Sequence, residues 1–88
     1  MHEPQEEYAG PATLDVDGTP TLVEVHLRGG FQPIDGHFHW QGRVLTPLEV
    51  RSGATVVLTT EHGSAAGRLS DLDPWGRYRI AGVGQPPF

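Results

Sequence analysis

Apolar residues recur at every second position in several short segments of the chain, and this alternation predicts β-strands. The clearest segment is 21–28, where Val23, Val25 and Leu27 share one face and mainly polar side chains occupy the other. The same spacing predicts strands over 12–16, 37–45, 54–60, 66–72 and 77–83, with a short extended piece over 31–34. The pattern contains no amphipathic helix of about ten residues, and one helical turn over 48–51 is the most that it allows.

Turn residues separate the predicted strands. The strongest signals are Asp17-Gly18, Asp35-Gly36, His62-Gly63 and the run DPWG at 73–76, whose residue order suits a type I turn. Pro20 predicts a first loop of about four residues, and Gly29-Gly30 is expected to end or sharply bend its strand. Six or seven short strands without a helix predict an all-β fold, a small antiparallel meander that closes into a barrel-like sheet.

The chain has 88 residues, which is enough for one domain with a small core. Residues 1–9 are acidic and lack periodicity, so we expect a flexible tail there and a single β-barrel-like domain over residues 10–88. Since large side chains are few, the aromatic ones should be buried. The residues expected in the core are Phe31, Phe38, Trp40, Tyr78 and Ile80.

Charge and composition exclude several classes of protein. Residues 1–35 carry seven acids against one arginine, whereas residues 36–88 carry four acids against five arginines, and the net charge is −5. An acidic chain without lysine is a poor ligand for nucleic acid or for an anionic membrane. The absence of cysteine excludes disulfides and thiolate zinc sites.

No apolar run approaches the roughly 20 residues that a membrane-spanning helix needs. The first ten residues lack the apolar segment of a secretory signal. The expected location is therefore the cytoplasm. A chain this short hides its strand edges by closing a barrel or by pairing with a second copy, so a homodimer is also expected.

The histidines are the strongest candidates for chemistry. His37 and His39 are two residues apart on one strand and so face the same way, and His26 lies on a strand expected to be nearby. Together with Glu24 they form a workable set of metal ligands. The favoured interpretation is that they belong to the solvated face of an amphipathic strand.

Asp35 has two interpretations as well. Beside His37 or His39 it could orient an imidazole that acts as a general base. An aspartate before glycine more often serves the turn itself, because its side chain accepts a hydrogen bond from the following backbone. The second interpretation is favoured.

Trp75 and the outward-facing arginines are candidates for recognition. At a turn tip, Trp75 either forms a partner surface with Arg77 and Phe88 or folds back onto the barrel end as a lid. Arg43 and Arg79, with Arg77, could bind a carboxylate or a phosphate. The favoured alternative is pairing with glutamates across strands. Those glutamates are Glu24, Glu49 and Glu61.

Three runs carry a family resemblance: GPATLDVDG (10–18), FQPIDGHFHWQGR (31–43) and DPWGRY (73–78). They resemble a bacterial family of unknown function whose members are small stand-alone proteins or domains at the C-terminus of flavin-containing monooxygenases. The resemblance implies a shared fold and a link to flavin-dependent oxidation of lipophilic substrates. It lends no catalytic residue. The chain has no G-x-G-x-x-G and cannot itself bind a dinucleotide in that way.

The sequence as a whole favours a non-catalytic binding or accessory module, without a cofactor, for a partner protein such as a flavin monooxygenase or for a small lipophilic molecule. The ligand-binding candidates are His26, Asp35, His37, His39, Trp40, Arg43 and Trp75. The alternative is a small biosynthetic enzyme that uses His37 and His39 with Asp35 and Glu24, with or without a metal. A concave, enclosed histidine face would favour the enzyme, and a convex outer face would count against it.

Overall fold

Six antiparallel strands close into a barrel in the computed structural model, which describes residues 7–50 and 53–88. The strands are β1 (Glu7–Val16), β2 (Thr19–Gln32), β3 (His37–Val44), β4 (Thr55–Thr60), β5 (Gly63–Ser70) and β6 (Arg79–Val83). Their order around the barrel is β1-β2-β3-β6-β5-β4, and β4 pairs back with β1. The all-β, barrel-like prediction is confirmed. Among the described residues no helix is long and apolar enough to cross a membrane.

Two three-stranded meanders, β1–β3 and β4–β6, make up the barrel. β3 and β4 lie on opposite sides, so the connection between them crosses one end of the barrel, which we call the crossing end. Leu48 and Val50 of this connection pack against the core there. The turn between β2 and β3 lies at the opposite end, which we call the arm end.

The first hairpin turn is tighter than the sequence predicts. Val16 pairs with Thr19, so only Asp17 and Gly18 lie between the strands, and both have positive φ (53° and 83°). Positive φ at both positions is the signature of a type I′ turn, whose twist matches that of the flanking strands. The predicted loop of about four residues is therefore wrong, and Pro20 lies inside β2.

The strand that begins at Thr19 does not end at the Gly29-Gly30 pair. It continues to Gln32, so the separate extended piece over 31–34 is also wrong. The reason is a close approach: a Cβ on Gly29 would lie 2.4 Å from Cε1 of Phe38, so the glycine lets that ring pack on the backbone. Residues 33–36 form the turn.

The N-terminal boundary also differs from the prediction. β1 includes residues 7–9, where Tyr8 is buried and its hydroxyl donates to the Pro11 carbonyl at 2.5 Å. The predicted tail is thus wrong for residues 7–9, and residues 1–6 lie outside the described part of the chain. The predicted helical turn does not form over 48–50, where the Leu48 N–H instead donates to the carbonyl of Gly76; Arg51 lies outside the described residues.

Inward-facing side chains from all six strands fill the barrel, as the alternation predicts. Trp40 is its largest fully buried residue, and the absence of side chains at Gly67 and Gly82 makes room for the indole ring. The core prediction is confirmed for Trp40, Tyr78 and Ile80, and Phe38 is partly buried. It is wrong for Phe31, which lies beyond the barrel wall. The buried apolar residues are Tyr8, Ala12, Leu14, Val23, Val25, Leu27, Trp40, Val44, Val56, Leu58, Leu69, Tyr78 and Ile80.

Candidate functional site

The histidine face of β3 lies on the outside of the barrel, opposite the buried face that carries Trp40. The Nε2 of His39 donates to Oδ2 of Asp35 at 2.7 Å, and the backbone N–H of His37 donates to Oδ1 of the same carboxylate at 3.0 Å. Asp35 therefore closes the β2–β3 turn and also holds a histidine. The bond from the His37 backbone, followed by the bond from His39, lowers the pKa of Asp35 below its usual range.

A histidine held by a carboxylate has the composition of a general base with its orienting group. The two side chains are 36 % and 46 % exposed, however, so bulk water reaches them. An enclosed, water-poor setting is what strengthens electrostatic interactions in catalytic sites. The pair therefore has the structure of a turn contact on a convex surface, which counts against the enzyme interpretation.

This contact makes a testable prediction about pH. The pKa of Asp35 is lower in the folded than in the unfolded chain, so the unfolded chain binds more protons as the pH falls. Its contribution to stability is present above the unfolded value of about 3.9 and is lost as the pH falls through the folded pKa. In thermal melts from neutral pH to acid, Asp35→Asn should lose less stability than the parent below about pH 3.9. If the melting temperatures of the two proteins fell in parallel as the pH was lowered, the result would contradict this contact.

The four candidate metal ligands do not lie together in the structure. They are His26, His37, His39 and Glu24. In the ladder His26 lies opposite Arg43 and His39 lies opposite Gly30, so they are four positions apart along β2. His26 is instead hydrogen-bonded to Glu7 at 2.6 Å, which lowers the pKa of that glutamate. The described residues contain no group of three or more histidine or acidic side chains placed to hold a metal ion.

The two tryptophans have opposite environments. Trp40 is 1 % exposed and its side chain belongs to the core, which counts against a direct contact between its ring and a ligand on the barrel surface. Trp75 is 69 % exposed in the β5–β6 loop at the crossing end, and its ring lies 5.2 Å from the guanidinium carbon of Arg77. The lid interpretation is therefore wrong. Phe88 packs against the core beside Pro87 at the arm end, where Thr60 donates to the Pro87 carbonyl, so it does not join Trp75.

The outward arginines do not pair with the predicted glutamates. Arg77 Nε donates to Asp73 Oδ2 at 2.8 Å, and Arg79 lies 3.8 Å from Asp71. Arg43 donates to two backbone carbonyls, those of Asp71 at 3.0 Å and Arg77 at 3.3 Å. The pairing prediction is wrong in its partners, because the β5–β6 loop folds over the start of β6 and brings its own acceptors.

Two surface features emerge that the sequence did not define. The first is a groove of about 480 Å³ on the outer face of β2, β3 and β6, which we call the arginine groove. It is lined by His26, Arg28, Gln41, Gly42, Arg43 and Arg79. The sequence indicated Arg43 and Arg79 but missed Arg28 and Gln41, because only the register between β2 and β3 brings them together.

The second feature is the far end of the β2–β3 hairpin, residues 29–38, which we call the hairpin arm. Pairing with β1 stops at Arg28 and pairing with β6 stops at His39, so the arm extends past its described neighbours. Phe31 is 61 % exposed on it and Ile34, in the turn, is 98 % exposed. Val83, opposite His39, adds a third exposed apolar side chain at this end. The sequence signal was Pro33, which is typical of a strand edge rather than a core strand.

A closed six-stranded barrel with a filled interior and distinctive groups only on its outer surface defines the class of this protein: a small all-β domain. It belongs to the family described as "Domain of unknown function (DUF4873)", which matches residues 5–88. Relatives include uncharacterized proteins of Mycobacterium bovis and Mycobacterium tuberculosis, each 40 % identical over 89 aligned residues. The alignment covers 98 % of this chain but only 26 % of each relative, so the chain spans about a quarter of their length. No solved structure matches the chain.

Proposed function

We propose that this chain is a non-catalytic accessory module that docks onto a partner protein through the hairpin arm. The observation that carries the proposal is the exposure of Phe31 and Ile34 on a hairpin that extends past the described parts of its neighbouring strands. Large apolar side chains that are exposed together at one end of a protein are typical of an interaction surface. Aromatic anchors in particular carry much of the energy of protein interfaces.

The arm favours a protein partner over a small lipophilic ligand. A lipophilic molecule would require an apolar cavity, and the interior of this barrel is occupied by its own side chains, with Trp40, Leu14 and Leu58 among the largest. A hairpin that projects into solvent offers no enclosure, but it can insert into a groove on another protein. The histidine–aspartate contact at the base of the arm then serves to hold its turn.

The relatives support a protein partner independently. In them the matched segment is about a quarter of a longer chain, so a domain of this kind occurs covalently joined to other protein. β1 starts at the arm end, and the C-terminal segment returns to the same end, where Phe88 packs against the core. A chain continuing from either terminus of the domain would therefore leave the barrel beside the hairpin arm.

The first candidate partner is a flavin-containing monooxygenase, on the ground of the resemblance described above, and the proposed location is the cytoplasm. In this role the module would contribute contacts to the oxygenase and no chemistry of its own. A second copy of this chain is the other partner that an exposed apolar arm could accept, as a homodimer.

The test is a binding titration of the full chain against a flavin-containing monooxygenase of the same organism, by calorimetry. We expect the double variant Phe31→Ser/Ile34→Ser to weaken binding by at least about tenfold, since loss of one interface anchor costs about 2 kcal/mol. Both side chains are exposed, so the variant should fold normally.

The matched control is Trp75→Ser, which removes an exposed aromatic side chain from the crossing end and should leave the affinity unchanged. Equal loss in both variants would refute a role specific to the arm. Sedimentation of the chain alone tests the homodimer: a dimer that the Phe31→Ser/Ile34→Ser variant dissociates would assign the arm to a second copy and overturn the proposal.

A further inference from the structure

We propose that the arginine groove is a binding site for a small oxyanion, a carboxylate or a phosphate group on a small molecule. The groove is separate from the hairpin arm, so this inference does not depend on the docking proposal. Three of its six lining residues are arginines, a fourth is a histidine, and none is acidic, in a chain whose net charge is −5.

Strand register places these groups together. Arg28 lies opposite Gln41, and in the next row along the barrel His26 lies opposite Arg43, which in turn lies opposite Arg79. All five residues occupy outward-facing positions of their strands. Three neighbouring strands therefore present their basic side chains to one stretch of the outer face, above a floor formed at Gly42.

The guanidinium groups retain donors for a ligand. Arg28 interacts through its charge with Glu7, the residue opposite on β1, whose pKa it helps to lower, and its side chain makes no hydrogen bond among the described residues. Arg43 is fixed in place by two backbone carbonyls, which orient it without neutralising its charge. Arginine's planar set of five N–H donors suits the paired oxygens of carboxylate and phosphate.

The acids beside the groove do not neutralise it. Glu7, opposite Arg28 on β1, is hydrogen-bonded to His26. Asp71 is exposed and approaches Arg79 only to 3.8 Å, longer than a hydrogen bond. Three arginines thus face two acids at the rim, and one of those acids is already engaged by the histidine.

One pair of arginines in the groove would gain from a bound anion, because Asp71 offsets its repulsion only from 3.8 Å. Arg43 and Arg79 are direct cross-strand partners, and like charges at such positions destabilise a sheet. An oxyanion between them would turn this repulsion into two favourable contacts. The site is small: a groove of about 480 Å³ has the size of a small-molecule site. With three arginines and an acidic remainder, the chain lacks the extended basic surface that nucleic acid requires.

The experiment is a titration of the isotope-labelled full chain by NMR with two probes, phenyl phosphate and benzoate, at constant ionic strength. We expect saturable shifts of the amides of Gln41, Gly42 and Arg79 and of the Arg28 side chain with at least one probe. The probe that binds more tightly assigns the oxyanion. Linear shifts with both probes, equal to those produced by chloride, would overturn the proposal.

Variants distinguish binding at a specific site from a nonspecific effect of the protein's charge. Arg28→Gln/Arg79→Gln should weaken binding by at least about tenfold, which corresponds to about 1.4 kcal/mol. The control, Arg68→Gln, removes an exposed arginine of β5 that does not line the groove and should change the dissociation constant by less than about twofold. Equal weakening in both would mean that only net charge matters. The double variant should melt no lower than the parent at low salt, because it relieves the repulsion between Arg43 and Arg79. A lower melting temperature would contradict the claim that these two arginines repel each other in the parent.

Discussion

Replacing Gly42 by alanine is expected to destabilise the barrel strongly. A Cβ at this position would lie 2.0 Å from the carbonyl oxygen of His26 and 2.7 Å from the Cα of Leu27, and both atoms belong to the backbone of the neighbouring strand. A backbone cannot yield as the end of a flexible side chain can, so β2 and β3 would have to separate. We expect a loss of about 3 kcal/mol or more, which is a large part of the stability of a small domain.

Gly30→Ala provides the matched control. Gly30 lies in β2, next to the same β3, but a Cβ there would meet nothing within 4 Å. We expect a change within about 1 kcal/mol, with a slight gain because alanine has less freedom than glycine to lose on folding. Chemical denaturation of both variants measures the difference. A folded Gly42→Ala protein as stable as Gly30→Ala would contradict the close approach of β2 and β3.

Trp40→Ala is the second large effect, with an expected loss of about 3–5 kcal/mol. The indole ring is 1 % exposed, and Gly67 and Gly82 lie so close to it that a Cβ on either would come within 2.9 Å of a ring atom. Alanine would leave a cavity that these two backbone segments cannot fill. Circular dichroism and denaturant titration would report the loss.

The control for this variant is Trp75→Ala. Trp75 is exposed and its ring makes a cation–π contact with Arg77, which is worth about 0.5–1 kcal/mol at a surface. Fluorescence gives a second readout, because the parent should combine a blue-shifted emission from Trp40 with a solvent-like emission from Trp75. A loss in Trp75→Ala as large as that in Trp40→Ala would contradict the placement of the two rings.

The fold class could be predicted from the sequence because its evidence is local. Alternation in β2 places Val23, Val25 and Leu27 inside, and the same period places Trp40 and Ile80 inside. Each inference needs only neighbours in the chain and the geometry of a strand.

The errors arise where distant residues decide the outcome. Gly29-Gly30 reads as a strand end, but Phe38 from the opposite strand packs on it and the strand continues. Phe31 is an aromatic residue of the kind expected in a core, but it lies past the last described pairing of β2 with β1 and is exposed.

Register likewise explains which parts of the candidate sites were missed. His26 and His39 share an outward face, yet their rows are too far apart for a joint metal site. Arg28 and Gln41 share a row, which no spacing in the sequence reveals. The contact of Asp35 with the backbone of His37 was predicted from the Asp-Gly turn, since that interaction spans only two residues.

The hairpin arm and the arginine groove are lined by different residues of the outer surface. This separation allows the two proposals to fail independently, because variants of Phe31 and Ile34 leave the groove lining intact and variants of Arg28 and Arg79 leave the arm intact. It also predicts that a small oxyanion and a partner protein can bind at the same time.

The most direct test of the central claim is an NMR map of the isotope-labelled chain on addition of the unlabelled flavin-containing monooxygenase. We predict that signals of residues 29–38 and of Val83 broaden or shift first, while those of the Trp75 turn remain unchanged. Perturbation centred on Trp75 and Arg77, or no perturbation at concentrations well above those of the two proteins in the cell, would contradict docking through the hairpin arm.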